Sequence, residues 1–245
     1  MSGHSKWAQI KRQKGVADLR RGQTFTKIAN TITIAVRDGG GISDPNQNFR
    51  LRLAIEKARE VNMPKENVSR AIDRALGKGE KDKEVTQVNY EGIGPQGGAI
   101  IVEAVTDNKQ RSQNEIRNIM EKYGITMVAP GSTAYLFAKR GVITIKRNGK
   151  SIDDLFTIAE EAGGQDIEEA GDDLLIYTQP HDLAKVRQRL QESITVADTK
   201  LSLIPTINVV LKETDAARML LALRLLENLD DVQEVYTNII FPDTD

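Results

Sequence analysis

Apolar side chains recur with a helical period through the first third of the chain. Phe25, Ile28, Ala29, Ile32 and Val36 fall at i, i+3, i+4, i+7 and i+11, one stripe on a helix. Gly39, Gly40 and Gly41 stop it, and Asp44-Pro45-Asn46 prepares the next segment. Leu51, Ala54, Ile55, Ala58 and Val61 form a second stripe. After Pro64 a third carries Val68, Ala71, Ile72, Ala75 and Leu76, with Gly77 just past its end. The short connections predict a three-helix bundle over 24–76. A charged, glycine-containing linker over 77–84 follows it.

Beyond the linker the period changes. Strands are expected over 85–90 and 99–105, a helix over 111–123 and a strand over 133–138. Next come a strand over 142–146, a helix over 152–162, a short strand near Ile167, a strand over 174–177, a helix over 180–194 and a strand over 200–204. That run is β-α-β-β-α-β, the ferredoxin-like unit. Lifting it out leaves 99–105, 111–123, 133–138, 206–211, 214–228 and 232–237, the same order again. The predicted fold is α+β: an N-terminal three-helix domain followed by two ferredoxin-like α+β domains, one inserted in the other. The boundaries are 1–83 for a basic arm and helical bundle, 84–140 plus 205–245 for the discontinuous domain, and 141–204 for the insert. Strand 85–90 is an addition, and the Lys139-Arg140-Gly141 turn and Pro205 are the crossing points. One larger continuous sheet is the alternative.

Charge changes this picture more than composition does. The chain carries a net charge of −1, yet residues 1–83 hold 18 Lys+Arg against 9 Asp+Glu, and the rest hold 16 against 26. Within residues 1–30, Lys6, Lys11, Arg12, Lys14, Arg20, Arg21 and Lys27 face Asp18 alone. A nucleic-acid-binding arm on an acidic body has this asymmetry. A basic arm docked on the protein's own acidic half has it too. Trp7, the only Trp, sits among these cations, where it suits either base stacking or anchorage of the arm to the body. On the second helix Arg50 with Lys57, and Arg52 with Arg59, form i,i+7 pairs that extend the basic surface.

Several chemistries are excluded or disfavoured. With no Cys there is no disulfide, thiolate nucleophile or cysteine-ligated metal. Gly92-Ile-Gly94-Pro-Gln-Gly97 has the letters of a dinucleotide fingerprint, but a β-branched run follows where the pyrophosphate needs a helix N-terminus. A strand–strand turn is the better assignment. The two His, His4 and His181, lack a nucleophile-elbow context. Asp153 to Asp173 contains nine carboxylates and no cation, without the alternation of a Ca²⁺ loop. The expectation is no enzyme activity, no metal and no cofactor. The polar, basic start has no secretory h-region and no stretch reaches the ~20 apolar residues of a membrane span, so a cytoplasmic location is expected.

Gly3-His4-Ser5-Lys6-Trp7, Arg21-Gly22-Gln23-Thr24-Phe25-Thr26-Lys27 and Gly39-Gly40-Gly41 resemble the opening of the YebC/PmpR family. Tyr90-Glu91-Gly92-Ile93-Gly94-Pro95, Thr106-Asp107-Asn108, Gly131-Ser132-Thr133-Ala134-Tyr135-Leu136-Phe137 and Asp231 to Asn238 continue the resemblance across the chain. Gln23, where Lys is common, and Gln96, which lengthens the turn, are departures. The resemblance implies a three-domain α+β protein and a DNA-binding regulator of transcription. Through a mitochondrial relative and ribosome-linked members, it also implies the alternative of RNA binding in translation. The partners expected are DNA or ribosomal RNA, with the ribosome or another protein meeting the acidic domains.

Overall fold

The computed structural model describes residues 21–78 and 85–241. In chain order its elements are α1 (Arg21–Asp38), α2 (Phe49–Glu60), α3 (Lys65–Ala75), β1 (Thr86–Ile93), β2 (Ala99–Thr106), α4 (Lys109–Lys122) and β3 (Thr126–Val128). They continue with β4 (Phe137–Lys146), α5 (Ile152–Ala162), β5 (Asp166–Ala170), β6 (Asp173–Thr178), α6 (Leu183–Gln191), β7 (Val196–Pro205) and β8 (Val209–Val210). Last are α7 (Glu213–Glu227), β9 (Val232–Thr237) and β10 (Ile239–Ile240). The described residues fall into two compact units, 21–134 with 212–237, and 135–211 with the segment from Asn238.

The helical part of the first unit follows its apolar stripes. Ile28, Ile32, Ala35 and Val36 of α1 share a core with Leu51, Ala54, Ala58, Met63 and Ala71. Asn48 ties α1 to α2. Its Oδ1 caps α2 by accepting from Leu51 N at 3.0 Å, while its Nδ2 donates to the carbonyls of Ala35 and Ile42 at 2.9 and 3.0 Å. Gly40 and Gly41 take φ of +68° and +82° between them, where L side chains are strained. The bundle is joined to the rest of its unit along α1. Gln23 Nε2 donates to Asp230 Oδ1 at 2.6 Å, Lys27 Nζ to the Glu227 carbonyl at 2.6 Å, and Arg37 Nη1 to the Val85 carbonyl.

The sheet of this unit has the order β3-β1-β2-β9 with antiparallel neighbours. It differs from the expected one in two strands. The second strand is Thr126–Val128 rather than 133–138, where Ala134–Leu136 forms a turn of 3-10 helix. The position beside β2 belongs to β1, expected as an addition, and not to 206–211. Of that segment only Val209–Val210 is extended, and it pairs in parallel with Ile239–Ile240 in the other unit.

The second unit contains β5-β6-β4-β7, antiparallel throughout. Counting its strands along the chain gives the order 2-3-1-4, with a helix after the first and third, so the ferredoxin-like arrangement stands. β4 runs unbroken through the expected Lys139-Arg140-Gly141 turn. Gly141 is a strand residue whose missing side chain makes room: a Cβ there would lie 2.3 Å from Thr178 Oγ1 and 2.8 Å from Leu183 Cδ1. Pairing of β4 with β7 extends from Phe137↔Pro205 through Ile145↔Val196, across both expected crossing points.

Candidate nucleic-acid interface

The first five cations of the sequence-based site, Lys6, Lys11, Arg12, Lys14 and Arg20, lie outside the described residues together with Trp7, as does the side chain of Arg21. Lys27 is described and is committed to the Glu227 carbonyl, so its ammonium fastens the bundle to α7. The α2 cations do not share one face. Leu51, Ala54 and Ala58 point into the core, and at ~100° per residue Arg50 and Lys57 fall on one flank and Arg52 and Arg59 on the other. Arg50 Nη1 pairs with Asp38 Oδ2 at 2.5 Å. Arg52 Nε donates to the Pro45 carbonyl at 3.1 Å, and its guanidinium lies 5.7 Å from the Phe49 ring centroid. Arg59 is exposed at the C-terminal end of that flank.

Arg74 turns inward from α3. Its Nη2 donates to Asn30 Oδ1 and Thr33 Oγ1, both at 2.9 Å, and Thr33 Oγ1 in turn donates to the Ala71 carbonyl at 3.0 Å. A cation at helical spacing beside the apolar stripe thus locks α1 against α3. On the flanks of the bundle, Arg50 and Arg52 are engaged by its own fold, and Arg59 is an exposed cation.

The family-like motifs beyond the linker prove to be structural ties, a role that sequence reasoning missed. Glu91, 4% exposed on β1, accepts from Gly131 N and Thr133 N at 2.6 Å, Thr133 Oγ1 at 2.8 Å and Ala134 N at 3.2 Å. Burial pushes its carboxyl up, but these donors to the ionised form outweigh it and hold the group below the usual glutamate range. A carboxylate inside an alternating strand was the available signal. Asp231 does the same at the other end of the sheet. Its Oδ2 accepts from Ser112 Oγ at 2.5 Å, Arg111 Nη2 at 2.8 Å and Thr106 Oγ1 at 3.0 Å. Asn108 caps α4 through Arg111 N at 3.1 Å.

Gly92 to Gly98 joins antiparallel β1 and β2, the strand–strand turn expected. A Cβ on Gly92 would come within 2.7 Å of Ile125 Cγ2, and one on Gly94 within 2.7 Å of Met219 Cε. These glycines admit core side chains rather than a pyrophosphate. Exposed His181 sits 3.3 Å from Asp182 Oδ2. Among the described residues no cluster of three His, Asp or Glu is placed to hold a metal ion, and no helix is long and apolar enough to cross a membrane.

Comparison with known proteins covers almost the whole chain. Residues 5–78 match the TACO1/YebC protein N-terminal domain, and residues 85–239 match the TACO1/YebC second and third domain. A relative from Chloroflexus aurantiacus is 46% identical over 98% of this chain and 95% of its own length. Relatives from Roseiflexus castenholzii and Thermotoga maritima are 45% and 42% identical, over 98% and 99% of this chain and 95% of theirs. All three are named probable transcriptional regulatory proteins. The crystal structure of a conserved hypothetical protein from Aquifex aeolicus superposes with a TM-score of 0.84 at 35% identity, covering 93% of each chain. The chain belongs to the TACO1/YebC family.

Proposed function

We propose that this protein is a non-enzymatic regulator of transcription that binds DNA in the cytoplasm through its basic N-terminal third. The observation that carries this reading is its near full-length identity with relatives named probable transcriptional regulatory proteins. The segregation of charge supports the N-terminal third as the part that meets phosphate. Backbone contacts of this kind position a protein on DNA without reading bases. The acidic remainder is left to face solvent or a protein partner.

Salt dependence tests the proposal. Each phosphate neutralised releases condensed counterion, so log K falls with log[salt] by about 0.9 per duplex contact. If four to six of Lys6, Lys11, Arg12, Lys14, Arg20 and Arg21 engage, the slope is about −4 to −5. Changing Lys11, Arg12 and Lys14 together to Glu should flatten the slope and weaken binding on every duplex alike, read by fluorescence anisotropy. An unchanged slope would move the site to Arg50, Arg52, Lys57 and Arg59. Comigration with ribosomes that RNase abolishes and DNase does not, with no footprint on promoter DNA, would overturn transcription in favour of translation.

A further inference from the structure

Helix α4 of the first unit packs one side on β1, β2 and β3 and turns the other to solvent. Ser112, Ile116 and Met120 are buried. At ~100° per residue the opposite side carries Gln110, Asn114, Arg117, Asn118 and Glu121. Gln110, Asn114 and Asn118 are exposed and Arg117 is half-buried. Among the described residues, none of these four side chains has a hydrogen-bond or ion-pair partner. Arg111, at the margin of the face, is committed elsewhere: Asp107 and Asp231 hold it at 3.0 and 2.8 Å and tie the first turn of α4 to the end of the sheet.

The composition of this face is not explained by the stability of the helix. The outer faces of α3 and α5 carry charged residues, Glu66, Arg70 and Asp73 on one and Asp153, Asp154 and Glu161 on the other. On α4 three amides take their place. Asparagine is a poor helix former, because its side chain competes for nearby backbone groups, and it belongs at caps. Asn108 already fills the cap, accepting from Arg111 N at 3.1 Å. Asn114 and Asn118 lie one turn apart inside the helix, exposed, where they neither cap nor pack.

We propose that this face of α4 reads base edges in the major groove of duplex DNA. The inference rests on the proposed function and deepens it, since phosphate contacts alone carry no sequence information. A carboxamide pairs bidentately with adenine, its N–H donating to N7 and its oxygen accepting from N6. A guanidinium donates to O6 and N7 of guanine. Gln110, Asn114 and Asn118 therefore suit adenine, and Arg117 suits guanine. Spaced i, i+4, i+7 and i+8, the four side chains enter one groove together, and a helix about 10–12 Å across fits a groove about 12 Å wide. Glu121 ends the face with an acceptor that matches cytosine N4. The helix carries Lys109, Arg111, Arg117 and Lys122 against Glu115 and Glu121, which sets it apart from the acidic remainder of the chain and suits the phosphates on either side of the groove. The deep, narrow major groove of A-form RNA does not admit side chains in this way, so the face favours DNA.

The test uses the full chain with a duplex it selects from a random pool and a scrambled duplex as reference, read by fluorescence anisotropy at one salt concentration. Changing Gln110, Asn114 and Asn118 together to Ala leaves the buried side of α4 intact and favours the helix. This variant should lower the preference for the selected duplex by about tenfold or more. Binding to the scrambled duplex should be unchanged and the thermal transition no lower than in wild type. Arg117→Lys should relax the preference only at the guanine it meets, because an ammonium lacks the planar fork of a guanidinium. A wild-type chain with no preference among duplexes, or a triple variant that keeps the preference, would overturn the inference and leave the proposed function standing. Absence of duplex binding, or binding of an RNA hairpin in preference to every duplex, would overturn both.

Discussion

The two sheets share one plan and are reached by different routes. All strands and helices of β5-β6-β4-β7 come from a single run, 137–205, whereas β3-β1-β2-β9 takes three strands from 86–128 and its last from 232–237. In the contiguous sheet, neighbours follow from the order of elements along the chain. In the composite one, a short turn brings β1 onto β2. Closing that turn costs far less chain entropy than bringing in 206–211 from a hundred residues away. The composite sheet also needs ties that the contiguous one does not. Glu91 grips 131–134 and Asp231 grips the ends of β2 and α4, parts that no local turn holds together.

The sharpest way to break this comparison is to cut the two sheets out. A fragment covering 137–205 should fold alone with a cooperative thermal transition followed by circular dichroism. Trimming it to 142–204 removes the pairs from Phe137↔Pro205 to Gly141↔Leu201 and should abolish or broadly blunt that transition. A fragment covering 85–134 should remain unfolded, because it lacks α7 and β9 and with them the buried Met219, Leu223, Leu226, Val232 and Val235. If 85–134 folds cooperatively, the distant segments are additions and the sheet is not composite in any energetic sense.

A smaller effect is expected at the tie itself. Glu91→Ala leaves the N–H groups of Gly131, Thr133 and Ala134 without their acceptor and should cost about 3 kcal/mol, from charge-assisted bonds and the donors stranded in a buried site. Glu91→Gln keeps the shape and removes the charge. Because the folded carboxyl titrates below its unfolded value, its contribution is present above the ordinary glutamate pKa of about 4.3 and is lost as pH falls through the lowered folded value. Wild type should therefore lose stability in this acid window, and Glu91→Gln should show a flatter acid limb in urea unfolding between pH 3 and 6. Identical limbs would mean the carboxylate is replaceable by any acceptor.

Legibility in the sequence tracked how local the cause was. The helix over 152–162 and the strand over 232–237 stand where their patterns place them, because side-chain period, Ser151 capping and the Gly163 stop act within a few residues. Strand partners were legible only in the contiguous sheet. The Lys139-Arg140-Gly141 segment looks like a turn by composition, yet Gly141 is there to admit Leu183, a requirement set forty residues along the chain. The site was less legible still. Arg50, Arg52, Lys57 and Arg59 are equivalent as letters, but Asp38 and the Pro45 carbonyl distinguish Arg50 and Arg52 from Arg59. Glu91 and Asp231 stand in family-like motifs whose ordering invites a binding role, and only their hydrogen bonds show that they hold loops in place.

The smallest predicted effect lies in the contiguous sheet and completes the contrast with Glu91. Tyr177→Phe deletes the hydroxyl that donates to Glu168 Oε2 at 2.8 Å between adjacent strands and leaves the ring in its cluster with Val142, Ala170 and Leu175. Glu168 is only half-buried, so water can replace the lost donor, and the cost should be about 1 kcal/mol, near the net value of a single hydrogen bond. For a chain of this length that corresponds to a fall in Tm of roughly 2–4 °C. Such a small loss would show that local pairing, not a side-chain tie, holds this sheet. A loss as large as that of Glu91→Ala would mean that Tyr177 and Glu168 bind together more than their two strands.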